Sequence, residues 1–166
     1  YPRFDGLVAL TPSVRQEYLD LGVLPEKIRI ISNGVDLSRF QRIVPDRARF
    51  ERFGIGPQTL IILTVGRHHP KKGYDQIPRI AQNLKARGCD FRWLIVGRGH
   101  ADFTRRFPEA EKWGVHTIED QPTSGSPSFN LPSDTLVELY RSADLFAFPT
   151  LLETFGMVLV EALAAA

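Results

Sequence analysis

Leu60-Ile61-Ile62-Leu63-Thr64-Val65-Gly66-Arg67 decides the fold. A run of apolar and β-branched residues ends at a glycine and a cation, the way a buried strand enters a tight turn at a sheet edge. Working outward, the same grammar recurs. Phe91–Val96 runs into Gly97-Arg98-Gly99-His100, and Asp144–Phe148 runs into Pro149-Thr150-Leu151-Leu152-Glu153-Thr154-Phe155-Gly156. Gly6–Leu10, Ile28–Ser32 and Val115–Ile118 read as further strands. Amphipathic stretches between them predict helices near Ser13–Leu21, Pro45–Phe53, Gln76–Arg87, Asp102–Trp113, Ser133–Ser142 and Gly156–Ala166. Pro78 fits the third of these if Asp75 is the N-cap, because a first-turn residue loses no intrahelical N–H bond. Strands and helices alternating throughout predict an α/β fold, a Rossmann-like parallel sheet flanked by helices.

Composition narrows the function classes. The 166 residues, 43% hydrophobic, suffice for an ordinary domain that buries most of its apolar surface. With 21 Lys plus Arg against 19 Asp plus Glu, the formal charge of +2 lacks the concentrated basic footprint of a nucleic-acid binder. Cys89 stands alone, which excludes an internal disulfide framework and a multi-cysteine metal site and fits a reducing, cytoplasmic setting. No apolar run approaches the roughly 20 residues of a membrane span, so any membrane contact is expected to be peripheral. There is no initiator Met, and the chain stops at Ala164-Ala165-Ala166 within an apolar helical pattern, so it reads as an excerpt. Residues 119–132, rich in Pro, Ser and Gly, form a long connection, either a functional insertion or a mobile loop.

Open α/β sheets bind ligands beyond the carboxyl ends of their strands, so the turns after the strands are where chemistry is expected. Gly156 opens the last helix, and a glycine there lets a ligand approach backbone N–H groups at the positive end of a helix dipole. Phe155, Gly156 and Met157 would offer those amides. Arg67 and Lys72, on a neighbouring turn, would add a bidentate fork and a point charge for the same phosphates, neutralising a diphosphate without metal. Glu153 and Glu161 suit hydroxyl donors rather than phosphates. Glu161 lies about 7 Å along the helix from Gly156 at 1.5 Å per residue, which lets one ligand lie across the helix tip with a sugar on either side of its phosphates. Each feature has a plainer reading. Arg67 and Lys72 taken singly fit solvated surface cations, and Gly97-x-Gly99 and Asn33-Gly34 fit ordinary turns. Glu161 sits in the apolar run Met157–Leu163, so it must either meet solvent or have a hydroxyl or cationic partner.

In this order, Ser32-Asn33-Gly34-Val35-Asp36, Gly66-Arg67 with Lys72-Gly73, Val96-Gly97-x-Gly99, Leu139-Tyr140 with Ala143-Asp144, and Glu153-x7-Glu161 around Phe155-Gly156 resemble the retaining glycosyltransferases of the GT-B fold. The resemblance is to the family-4-like members, glycosyl transferases group 1, and to their C-terminal donor-binding part. It implies that Arg67 and Lys72 hold the diphosphate and stabilise the leaving group, and that Glu153 contacts the transferred sugar. Gly66 and the amides of Phe155, Gly156 and Met157 would border the donor, and Glu161 would hold the ribose. The implied reaction moves a hexose from a nucleotide diphosphate sugar to a glycan or lipid-linked acceptor with retention. It uses no metal or cofactor, and any peripheral contact with the inner membrane face would come through the missing N-terminal domain. Residues 1–36 would be the tail of an acceptor domain and its hinge, 37–58 a connecting helix, and 59–166 a truncated donor domain. The fragment alone is expected to be inactive.

Two other classes remain open at this point. A nucleotide-sugar epimerase of the same fold would need acid and base groups, for which His68, His69 and Glu153 are candidates without a paired spacing. A non-catalytic nucleotide-sugar-binding module is the other. A dinucleotide-dependent oxidoreductase fits poorly, because Asp102 stands where Gly-x-Gly-x-x-Gly needs its third glycine. Metal hydrolysis fits worse, since His100 and His116 lack a ligand pattern.

Overall fold

The computed structural model describes residues 3–119 and 132–166, so most of the Pro/Ser/Gly-rich connection lies outside the described residues. In chain order come β1 (Leu7–Ala9), α1 (Pro12–Asp20), β2 (Ile28–Ile30), α2 (Leu37–Arg42), β3 (Leu60–Val65) and α3 (Ile77–Ala86). They are followed by β4 (Phe91–Gly97), α4 (Ala101–Arg106), β5 (Val115–Glu119), α5 (Asp134–Ser142), β6 (Leu145–Phe146) and α6 (Met157–Ala165).

The strands form two parallel sheets, a small one of β1 and β2 and a larger one in the order β5-β4-β3-β6. The apolar run of β3 explains why it lies inside the larger sheet. Side chains alternate across a strand, so Ile61, Leu63 and Val65 join a core with Leu94, Val96, Leu136, Val137 and Leu139, while Ile62 joins Trp93, Ile95, Ile77 and Phe103 on the opposite face. Both faces being covered by helices is what a parallel sheet requires. The β1–α1–β2 unit has its own cluster of Ala9, Val23 and Ile28.

From β3 the chain steps outward to β4 and β5, then returns across β3 to lay down β6 on its other side. The strand order therefore reverses between β3 and β6, and such a switch point leaves a crevice at the carboxyl ends of its two strands. β6 is short, and a side chain extends its grip: Asp144 Oδ2 accepts the Ile61 N–H at 2.8 Å. Arg47 backs this carboxylate at 3.1 and 3.2 Å and also donates to the Thr59 carbonyl.

Three local expectations are corrected. Asp75 does not cap α3; Gln76 flanks it without a side-chain cap, and Asp75 instead pairs both its oxygens with Arg106 at 2.9 and 2.8 Å. The helix expected over Asp102–Trp113 is two pieces, α4 and a 3₁₀ turn at Ala110–Trp113, because Pro108 cannot continue the first. The connecting stretch 37–58 is also two pieces, α2 capped by Asp36 and a 3₁₀ helix at Arg47–Phe53 capped by Asp46. Phe40, Phe50 and Ile55 bury this stretch in the same core as β3.

Candidate functional site

The site is built where the switch point leaves its crevice. After β3, Gly66 turns the chain, Arg67 projects outward, and a 3₁₀ turn at Pro70–Lys72 presents Lys72. His69 caps that turn, its Nδ1 accepting the Lys71 N–H at 3.2 Å. This bond requires an unprotonated Nδ1, so the neutral ring carries its proton on Nε2. After β6, the segment from Pro149 leads to Glu153. Arg67, His69, Lys71, Lys72, Leu152, Glu153 and Thr154 line a cleft of about 200 Å³.

At its centre Lys72 Nζ lies 2.5 Å from Glu153 Oε2 and 5.4 Å from the centroid of the Phe148 ring. Partial burial alone would raise the Glu153 carboxyl; the Lys72 ammonium and the Thr154 N–H, 3.1 Å from Oε1, outweigh it and hold the group below its ordinary value. Arg67 makes no ion pair among the described residues, which leaves its guanidinium available to an anion at the cleft.

Helix α6 begins one residue beyond Gly156, which is buried and left-handed at φ 76°. A Cβ here would stand 3.2 Å from Leu159 Cδ1 and 3.4 Å from Glu153 Cγ, so the absent side chain lets the Glu153 turn fold onto the helix tip. Among the described residues no side chain caps α6, leaving its first amides to solvent or an anion. Phe155 and Met157 are half-buried on either side of Gly156. Glu161, one turn further, is buried at 9% exposure, and the Tyr140 hydroxyl donates to its Oε2 at 2.7 Å. Of the two outcomes open for this carboxylate, burial with a hydroxyl partner holds.

The structure thus brings Arg67, Lys72 and Glu153 to one cleft and sets Gly156 behind it, with Glu161 inside the adjoining helix packing. Lys71 as a cleft-lining group escaped the sequence reading, and His69 entered it only as a candidate acid or base group. The signal was present, since both share the tight turn that carries Lys72. A second cavity, of about 270 Å³, lies at the carboxyl ends of β4 and β5 and is lined by Val96, Ile118, Glu119, Ser133 and Leu136 among others. Among the described residues no cluster of three or more His, Cys, Asp or Glu is placed to hold a metal ion, and no helix is long and apolar enough to cross a membrane.

The chain is similar to known glycosyltransferases. The D-inositol 3-phosphate glycosyltransferase of Nocardia farcinica is 34% identical over 165 residues, spanning 96% of this chain and 36% of that protein. D-inositol 3-phosphate glycosyltransferase 2 of Catenulispora acidiphila is 33% identical over 171 residues, with 96% and 38% covered. The chain therefore spans little more than a third of the length of these relatives. Among solved structures, a glycosyltransferase from Rickettsia africae superposes with a TM-score of 0.75 at 22% identity, covering 97% of this chain and 42% of that one. WaaG, a glycosyltransferase involved in lipopolysaccharide biosynthesis, gives 0.73 at 22% identity, with 96% and 42% covered. HepE of Anabaena, solved in complex with UDP-glucose, gives 0.71 at 19% identity, with 98% and 43% covered. These likenesses carry the fold, an α/β parallel sheet of the GT-B glycosyltransferases. The model of the family described as glycosyl transferases group 1 matches residues 46–166, from the 3₁₀ helix before β3 through α6, and the chain belongs to that family.

Proposed function

We propose that this chain forms the donor side of a hexosyltransferase that moves a sugar from a nucleotide diphosphate sugar to a glycan or lipid-linked acceptor with retention of configuration. The observation that carries the reading is the meeting of Lys72 and Glu153, from turns after β3 and β6, over a helix opened by Gly156. The family match and the UDP-glucose complex of a protein of the same fold support it.

In this reading the diphosphate lies at the α6 amides with Arg67 and Lys72 on its oxygens. As the bond between the anomeric carbon and the diphosphate oxygen breaks, negative charge grows on the leaving group, and cations placed beforehand stabilise it without reorganising. The acceptor oxygen bonds the same face of the anomeric carbon, and its proton passes to the departing phosphate. No metal is needed, because Arg67, Lys72 and the amides supply the positive charge. Glu153 holds hydroxyls of the transferred sugar, and Glu161, oriented by Tyr140, those of the ribose. The nucleoside end runs toward the cavity at β4 and β5. We assign 1–36 to the end of an acceptor domain and its hinge, 37–58 to the connection and 59–166 to the donor domain. The chain alone then binds donor without completing transfer.

Product analysis with the full-length natural protein tests this. UDP-, GDP- and ADP-glucose are supplied with glycan, lipid-linked and polyol phosphate acceptors, the last because the curated relatives are named for D-inositol 3-phosphate. The expected products are a free nucleoside diphosphate and an α-linked glycoside, undiminished by EDTA. An altered sugar nucleotide formed without acceptor would replace this reading with an epimerase.

A further inference from the structure

Lys72 and Glu153 can meet only if the turns after β3 and β6 are held in one register, and the β3–β6 ladder pairs only Ile62 with Leu145 and Leu63 with Phe146. Beyond it the Ala147 N–H donates to the Leu63 carbonyl at 2.8 Å and the Thr64 hydroxyl to the Ala147 carbonyl at 2.7 Å. At the tip the seam continues on different groups. The Leu151 N–H donates to the Lys71 carbonyl at 2.7 Å. The Thr150 hydroxyl lies 3.1 Å from that carbonyl and 3.1 Å from the carbonyl of Leu152. One hydroxyl carries one proton, so the two carbonyls share it and the side chain bridges both turns.

Gly73 permits the contact. It is left-handed at φ 65°, and a Cβ there would fall 2.1 Å from the Pro149 carbonyl oxygen. The backbone from Pro149 to Leu152 thus rests directly on the turn that ends at Gly73, immediately beside Lys72. Thr150 does not line the cleft, and its hydroxyl bonds neither charged side chain.

We infer that Thr150 is a positioning residue: by bridging the Lys71 and Leu152 carbonyls it fixes the spacing of Lys72 and Glu153, and through them the placement of a nucleotide diphosphate sugar. The second half of this statement rests on the donor-site reading above. Its physical basis is the steep dependence of transfer on geometry, in which a misplacement of about 1 Å can cost about 100-fold in rate.

The test uses the full-length natural protein with Thr150→Val, which keeps the shape and removes the donor, and Thr150→Ser, which keeps the donor. Four quantities are read: the titration of the Glu153 carboxyl by ¹³C NMR, the kcat and the donor KM of transfer, and the thermal midpoint. In Thr150→Val, Glu153 should titrate nearer the ordinary carboxylate range, and kcat should fall about tenfold. The thermal midpoint should drop by a few degrees at most, and Thr150→Ser should restore both Glu153 and kcat. A turn-forming role alone would move the thermal midpoint and leave Glu153 where it was. Wild-type titration and kcat in Thr150→Val, or failure of Thr150→Ser to restore them, overturns the inference. Should Thr150→Val not fold, the smaller Thr150→Ala is read by the same criteria. If the wild-type protein transfers no sugar and binds no nucleoside diphosphate, the donor-site reading fails, while the NMR titration still decides whether Thr150 sets the Lys72–Glu153 spacing.

Discussion

Lys72 is held at 2.5 Å from the Glu153 carboxylate while its ammonium also faces the Phe148 ring. Each of the two charges keeps the other in place. A bound diphosphate would take over Lys72 and release Glu153 toward a sugar hydroxyl. Removing either should therefore harm chemistry more than folding, since the pair is partly exposed and such pairs stabilise weakly, by about 1 kcal/mol or less. Lys72→Ala and Glu153→Ala in the full-length protein are expected to lower kcat by about 100-fold or more, with circular dichroism unchanged. Wild-type turnover in either variant would remove the basis of the site. The sequence indicated the neighbourhood of Arg67, Lys72 and Glu153 because each follows a strand, and strand ends of a parallel sheet share one edge. It did not indicate that Tyr140 is the hydroxyl partner of Glu161, nor that Asp75 pairs with Arg106 rather than capping a helix. Both are contacts between side chains far apart along the chain, invisible to local rules.

At the scale of elements, the turns after β3 and β4 are joined backbone to backbone, Gly66 N–H to the Val96 carbonyl at 2.8 Å and His68 N–H to the Arg98 carbonyl at 2.8 Å. Beneath them lies His100, 1% exposed, packed by His68 and Tyr74, with Asp102 on the same helical turn and Glu119 Oε1 accepting its backbone N–H at 3.0 Å. Burial pushes the His100 imidazole below its ordinary value; Glu119 opposes this, His68 reinforces it, and the Val96 backbone opposes it. A histidine depressed in the folded state takes up its proton more readily in the unfolded chain. Stability is therefore full above the unfolded value near 6.5 and is lost as pH falls from there toward the lowered folded value. The thermal midpoint should decline between about pH 7.5 and about pH 5.5, the range around the ordinary histidine value. His116, also depressed chiefly by burial, contributes to that fall. In His100→Leu the decline should be shallower, and an unchanged slope would assign the acid sensitivity elsewhere. The strands behind these turns were legible almost to the residue, because their apolar runs are bounded by glycine or charge. The helices were less so: α4 stops before Pro108, and α2 falls inside what reads as one connecting helix over 37–58, because Leu37–Arg42 is too short to show a helical period of its own.

For the whole molecule, the order β5-β4-β3-β6 places the charged cleft at the β3–β6 switch and the second cavity at β4 and β5, along one edge of one sheet. An elongated ligand that spans both would bind only the folded state and so must stabilise it, by about 2.7 kcal/mol at a hundredfold excess over Kd. Nucleoside diphosphates are thus expected to raise the thermal midpoint of the full-length protein, with the ranking of uridine, guanosine and adenosine diphosphates reporting the base preference. No shift with any of the three would deny the site its ligand. Alternation of strand and helix made the parallel sheet readable in advance. The packing of Phe40, Phe50 and Ile55 into the main core was not, because connection lengths do not say which surface a linker covers.

The brevity of β6 bears on how the protein assembles. The two groups that meet over the cleft stand 81 positions apart along the chain, and the closing strand is held by two ladder pairs, the Asp144 carboxylate and the seam at Thr150. Closing so large a loop costs entropy before distant contacts reward it, whereas helices and adjacent strands form early. In refolding of the full-length protein, far-UV circular dichroism is accordingly expected to recover before nucleoside diphosphate binding does, and simultaneous recovery of the two would contradict that order.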